Sequence, residues 1–160
     1  MSLADQSKLQ TAGVLVHPPL AWASTIAAGL SLAWIAPLRF PAGGLPLAWI
    51  GVTVFALALA LTGWASITMV RAGTNIPTNR PTTTVVEAGP YRVTRNPIYV
   101  GMFLGLAGLA IAFDTLWLLI GLAGFALVIR YGVVAREEAY LERRFGDVYR
   151  DYRKRVRRWL

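Results

Sequence analysis

GPYRVTRNPIYVG, residues 89–101, sets two prolines, two arginines and two tyrosines directly against an apolar segment. Pro90 and Pro97 fix φ and remove backbone donors, so the stretch does not read as one continuous helix. Irregular backbone at the edge of a membrane is tolerated where it is buried in protein or lines a polar cavity. The run therefore reads as the wall of a solvated pocket, and the fold is decided by what lies on either side of it.

On both sides the chain is apolar. Its 160 residues are 56% hydrophobic and 15% charged, against about 25% charged in an average soluble chain, and the charges collect in a few segments. The expected architecture is an all-α integral membrane bundle of about four transmembrane helices, forming a single domain over residues 1–160, with a C-terminal amphipathic helix at the interface. The net charge of +8 does not point to nucleic acid, because the cations flank apolar spans rather than forming a basic face with stacking aromatics. Anionic membrane lipids are the partner these cations fit. With no cysteine and only His17 for imidazole, disulfides, thiolate chemistry and a zinc or haem site are not expected.

Residues 1–16 lack the pattern of a cleavable signal peptide. Residues 19–38, opened by Pro18-Pro19 and closed by Pro37 and Arg39, form the first expected span. A Pro/Gly turn at 40–44 follows, and then residues 45–70 run uncharged for longer than the roughly 20 residues a span needs. Thr62 and Ser66 share a face of that helix, where hydroxyls ordinarily serve packing. The third segment, 98–113, is short, and Gly101, Gly105, Gly108 and Ala112 put small residues along one face. Such a face lets a neighbouring helix approach closely, and it serves equally to join two protomers. Asp114-Thr115 turns the chain, either residue being able to cap the fourth span, 116–134. Arg130 is the one cation inside a span. Snorkelling to the interface and a role in a site explain it equally well.

Between the second and third spans, residues 71–97 form a polar connection long enough to be an ordered pocket wall. The tail, 135–160, reads as a basic amphipathic segment in which Leu141, Phe145, Val148, Tyr152, Val156 and Trp159 recur every three or four residues. Gly146-Asp147 marks the end of one helix and the start of another. A tail of this kind lies on a membrane surface and can cover a site from the aqueous side. Fifteen of the sixteen basic residues fall on one side of a four-span arrangement and Arg39 alone on the other, which places both termini in the cytoplasm, with the plasma (inner) membrane as the expected location.

In that arrangement the hairpin of the third and fourth helices brings Tyr91, Arg92, Arg95, Asn96 and Tyr99 to Arg136, Glu137 and Glu138. Carboxylates and guanidinium groups in one pocket suit a zwitterionic ligand, each of whose charges can then be paired.

At these residues the sequence resembles the superfamily of isoprenylcysteine carboxyl methyltransferases and phospholipid methyltransferases. The resemblance rests on Gly89-Pro90-Tyr91-Arg92, Arg95-Asn96-Pro97-Ile98-Tyr99-Val100-Gly101, Glu137-Glu138, Leu141, Phe145-Gly146, Tyr149 and Tyr152. It covers the chain from Gly73 onward and leaves the first two helices unassigned. It implies a membrane-embedded methyltransferase, with S-adenosylmethionine bound at the cytoplasmic face by Tyr91, Arg92, Arg95, Asn96, Pro97, Tyr99, Gly101, Glu137 and Glu138. The acceptor it implies is a small hydrophobic or lipid-like molecule. The chain has no G-x-G-x-x-G signature of a soluble Rossmann-type enzyme, which agrees with that implication.

One departure bears on mechanism, since the family's usual histidine is Asn96 here, and an amide cannot shuttle a proton as imidazole does. A sulfonium methyl group is already activated, so alignment and exclusion of water are the main demands on the protein. A carboxylate or thiolate acceptor then needs only a cation, Arg95 or Arg130, to hold it. An amine would first have to lose a proton to a group such as Glu138. The rival readings are a sterol-type membrane reductase using NADPH, normally a much longer chain, and a noncatalytic scaffold or transporter subunit.

Overall fold

The structure, a computed structural model, describes residues 12–41, 47–76 and 81–160. The expectation of no signal peptide falls mostly on residues 1–11, and that of a turn at 40–44 partly on 42–46, both outside the described residues. So does Arg80 of the polar connection.

Helix α1, Pro18–Ile35, starts where the sequence puts two prolines: the amides of Leu20 and Ala21 both reach back to the His17 carbonyl at 3.1 Å. Proline at the first helical positions sacrifices only donors that would be unpaired in any case. Helix α2, Leu47–Arg71, is 25 residues long, and α3 occupies Pro97–Ala112. Helix α4 begins at Trp117–Leu127, becomes π-helical over Val128–Val134, and continues into α5, Ala135–Phe145. Three uninterrupted helical stretches, Pro18–Ile35, Leu47–Arg71 and Trp117–Phe145, are long and apolar enough to cross a membrane. The 16 residues of α3 rise only about 24 Å, which makes it a shorter apolar helix beside the three long ones.

The expected boundary between a fourth span and a separate surface tail does not exist at residue 134. No proline or glycine turn interrupts the helix there, and the chain breaks only at Gly146, whose φ of +51° is of the left-handed kind that favours glycine. Asp147 opens α6, Asp147–Arg155, as its first helical residue, and its carboxylate takes the Arg150 guanidinium at 2.6 Å rather than capping the helix.

Close approach of α2 and α3 fixes the bundle, and the small residues of α3 permit it. A Cβ on Gly108 would lie 2.7 Å from the Phe55 amide nitrogen, which is backbone and cannot step aside. The hydroxyls of Thr62 and Thr68 bond to carbonyls of their own helix, those of Ala58 and Trp64, so they are used in packing. At the α3–α4 turn Asp114 takes φ +49° and accepts the Phe40 amide at 3.0 Å, while Thr115 receives the Trp117 amide at 3.3 Å. Neither candidate is the N-cap of α4, which is Leu116; Thr115 stands one residue earlier and accepts the first helical amide.

The core lies along α3 and α4, where Leu106, Ala110, Leu118, Ile129, Val133 and Val134 are wholly buried, and α1 packs on it through Trp22 and Ile26. The indole of Trp22 donates to the Met102 carbonyl at 2.9 Å, pinning α1 to α3. Outward, Trp34, Trp49, Leu57, Leu59, Ile120 and Leu127 are exposed. In a chain of this hydropathy that surface is the one lipid would cover.

Candidate functional site

The polar end of the bundle is built by three segments that converge on α5. The first is the turn Gly89–Arg92, a single 3-10 turn in which Tyr91 N bonds to Ala88 O at 3.1 Å and Val93 N to Pro90 O at 3.1 Å. Gly89 is required twice over: its φ is +56°, and a Cβ would sit 2.9 Å from the Thr68 hydroxyl. The turn buries Tyr91 and aims its carbonyl at α6, where the Tyr152 hydroxyl donates to it at 2.8 Å.

The second segment is residues 94–96, which lead into α3 at Pro97; Asn96, preceding the proline, stays out of the helical region with φ −129° and ψ 48°. The third is the C-terminal stretch after α6, which leaves the helix at Val156 (φ −120°, ψ 133°) and runs parallel to residues 94–96. Arg95 N bonds to the Arg157 carbonyl at 2.9 Å, and the Arg158 carbonyl receives both Thr94 Oγ1 at 3.1 Å and Asn96 Nδ2 at 3.0 Å.

Glu138 sits at the centre of the convergence. Its carboxylate accepts Arg158 Nε at 3.0 Å on Oε1 and Arg158 Nη2 at 2.6 Å on Oε2, a forked pair, and Arg95 Nη2 lies 3.2 Å from Oε1. With Glu138 at 8% exposure, such a pairing is the condition for keeping the charge. Arg95 Nη1 also donates to the Tyr149 hydroxyl at 3.4 Å, whereas its Nε is buried with no hydrogen-bond partner among the described residues.

Beside this cluster, Tyr99 donates its hydroxyl to Glu137 Oε1 at 2.9 Å. Burial keeps the outer phenols neutral: it raises Tyr91 and Tyr152 well above the ordinary phenol range, and it pushes Tyr149 up to about 12 with the Glu138 charge adding to the effect. They are neutral hydroxyls rather than anions, that of Tyr149 accepting from Arg95 and that of Tyr152 donating to the Tyr91 carbonyl.

These groups line one end of a cavity of about 320 Å³, within the range of about 300–1,000 Å³ usual for small-molecule sites. Apolar lining comes from Met69, Ile76, Val85, Ile98, Met102 and Leu141, and His17, Thr74, Asn75, Thr82 and Thr84 add polar groups to the rest of the wall. The connection between α2 and α3 supplies part of that wall and is tied down by Thr83 N to Thr74 Oγ1 at 3.1 Å and Thr82 N to the Tyr140 hydroxyl at 3.2 Å.

Of the residues singled out from sequence, Tyr91, Arg95, Asn96, Pro97, Tyr99, Glu137 and Glu138 line this cavity together. Four are not brought to it. Gly101 is buried between α2 and α3, facing Thr62 and Ala58, so its smallness serves helix packing. Arg92 is exposed and borders a separate shallow hollow with Glu87 and Arg155. Arg130 is exposed on the π-helical segment with its guanidinium 5.4 Å from the centre of the Tyr131 ring, so it is not positioned to hold an acceptor in the cavity. Arg136, expected beside the two glutamates, points away and donates to the Gly13 carbonyl at 3.1 Å.

Arg158 was not visible from sequence, being one arginine among many in a tail that reads as membrane-facing. The π-helical turns are equally silent, although such insertions often mark functional sites. No group of three or more metal-ligating side chains occurs among the described residues.

Residues 47–148 match the phospholipid methyltransferase family, a stretch that contains residues 89–101 and Glu137-Glu138 but not the segment after α6. The chain belongs to that family of membrane methyltransferases. Among individual relatives, an uncharacterized protein of Haemophilus influenzae is 48% identical over 64 residues, covering 37% of this chain and all of that protein. The nickel-cobalt-cadmium resistance protein NccN of Alcaligenes xylosoxydans xylosoxydans is 32% identical over 108 residues, covering 65% of this chain and 50% of that protein. This chain thus spans only about half the length of NccN. No solved structure matches significantly.

Proposed function

We propose that the protein transfers a methyl group from S-adenosylmethionine to a small, lipid-like acceptor at the cytoplasmic face of the membrane. The carrying observation is the pairing of opposite charges at one end of a cavity that also has apolar lining: Arg95 held by Glu138, next to Glu137 held by Tyr99. The residues fit this donor. Arg95 Nε is a buried hydrogen-bond donor left without a partner, and buried donors ordinarily have one. A carboxylate such as that of the methionine moiety would satisfy it.

S-adenosylmethionine supplies, when bound, a methyl group on a positively charged sulfur, open to in-line displacement. Arg95 would bind its carboxylate end, and Glu137, whose second oxygen has no partner among the described hydrogen bonds, would face its cationic end. Tyr99 fixes the orientation of Glu137 by donating to Oε1. Glu138 is committed to two guanidinium groups and is therefore assigned to positioning rather than to proton transfer. Asn96 spends its amide on the Arg158 carbonyl and offers no proton relay.

With Glu138 and Asn96 committed, Glu137 and His17 are the groups lining the cavity that could take a proton, and an acceptor that is already anionic, a carboxylate or thiolate, needs neither. Its hydrocarbon part would lie against Met69, Ile98 and Met102. The basic residues around the cavity support a cytoplasmic position for this end, by the positive-inside rule.

The test is transfer of a tritiated methyl group from S-adenosylmethionine into organic-extractable material, using membranes from cells producing the wild type or Arg95→Ala. Labelled product that depends on Arg95 supports the reading. Equal labelling by both would overturn it.

A further inference from the structure

The C-terminal residues 156–160 have no place in the methyl-transfer scheme above, yet they are among the most firmly tied in the site. Residues 94, 95 and 96 each donate one hydrogen bond to the carbonyls of Arg157 or Arg158. Trp159 packs against Phe103 of α3, ring centroids 5.5 Å apart, and joins the buried core. The stretch is thus a strap clamped at both backbone and side chain, and it delivers one guanidinium to Glu138.

Charge arithmetic shows what that guanidinium does. Arg95 and Glu138 alone would form a neutral pair, with both carboxylate oxygens free to take Arg95 as a fork. With Arg158 present, its Nε and Nη2 occupy the fork, Arg95 keeps one contact with the carboxylate, at 3.2 Å, beside its bond to the Tyr149 hydroxyl, and the three groups together carry one net positive charge. Arg95 Nε remains unpaired as a result.

We propose that Arg158 is a positioning residue which, by occupying Glu138, frees Arg95 to bind the carboxylate group of the ligand. Asn96 and Thr94 are the ties that hold Arg158 in place. This gives the asparagine a use: its Nδ2 donates to the Arg158 carbonyl, so the residue that departs from the family's histidine secures the strap. The inference rests on the methyl-donor reading and adds which part of the donor is recognised and through which residue.

The test is calorimetric titration of the detergent-purified full chain with S-adenosylmethionine and with its decarboxylated analogue. Wild type, Arg158→Ala, Arg158→Lys and Arg143→Ala, the last an exposed cation on α5, are compared, with thermal melting run on each. Arg158→Ala should bind S-adenosylmethionine about tenfold more weakly and the decarboxylated analogue as wild type does. Arg158→Lys, which keeps the charge without the fork, should fall between, and Arg143→Ala should be unchanged. A merely structural role would weaken both ligands alike. Equal weakening, or none, in protein whose wild type binds S-adenosylmethionine overturns this inference alone. Failure of the wild type to bind overturns the donor assignment and this inference with it. Should Arg158→Ala not fold, Arg158→Lys and Arg158→Gln carry the same comparison.

Discussion

Arg158 grips Glu138 from 20 residues further along the chain, Nη2 to Oε2 at 2.6 Å and Nε to Oε1 at 3.0 Å. The contact ties the end of the chain to the first turn of α5, and with Arg95 it makes Glu138 the hub of the polar end. The hub has a testable cost of removal.

Glu138→Gln would leave two guanidinium groups facing each other, one with a side chain only 8% exposed. Breaking a buried pair by removing one partner typically costs about 3–5 kcal/mol. The variant is expected to melt at a clearly lower temperature in detergent and to lose S-adenosylmethionine binding, while still inserting in membranes. A melting temperature equal to that of the wild type would refute the hub.

Tyr99→Phe removes the single hydroxyl that orients Glu137 and nothing else. The expected loss is about 1 kcal/mol in S-adenosylmethionine affinity, read by calorimetry, with little change in melting. If affinity is unaffected, Glu137 does not face the ligand as described.

Two glycines should respond in opposite ways to alanine. Gly108→Ala forces a methyl group to within 2.7 Å of the Phe55 backbone, and overpacking of this kind costs about 1–3 kcal/mol. Gly124→Ala meets nothing within 4 Å and gains helix propensity of up to about 1 kcal/mol. Thermal melting of the two variants checks the α2–α3 contact without reference to activity.

Arg130→Ala should bind S-adenosylmethionine as the wild type does, because the guanidinium lies over Tyr131 and does not line the cavity. Loss of binding on that substitution would return Arg130 to the site.

The membrane bundle was legible in the sequence because hydropathy, proline punctuation and the Gly101/Gly105/Gly108 spacing are local signals, and local signals fixed α1, α2, α3 and their packing. The pairing of residues 89–99 with Glu137 and Glu138 was legible as well, through a hairpin whose two arms are adjacent in sequence. What stayed hidden depends on register. Seven π-helical residues, Val128–Val134, carry no proline or charge pattern that marks them, and they precede the turn in which Arg136 points outward while Glu137 and Glu138 line the cavity. Gly146 was readable as a helix end, and the amphipathic helix α6 follows it; what was not readable is that the chain turns at Val156 back onto residues 94–96. The amphipathic period of the tail could not name the partners of Tyr152 and Trp159, which are the Tyr91 carbonyl and the Phe103 ring.

The central claim is that this cavity binds S-adenosylmethionine through Arg95. Calorimetric titration of folded, detergent-purified protein with S-adenosylmethionine, against Arg95→Ala and against NADPH with the wild type, tests it most directly. Saturable binding of S-adenosylmethionine to the wild type, lost in Arg95→Ala, with none of NADPH, is the expected result. No binding of S-adenosylmethionine to folded wild type, or binding undiminished in Arg95→Ala, would contradict it.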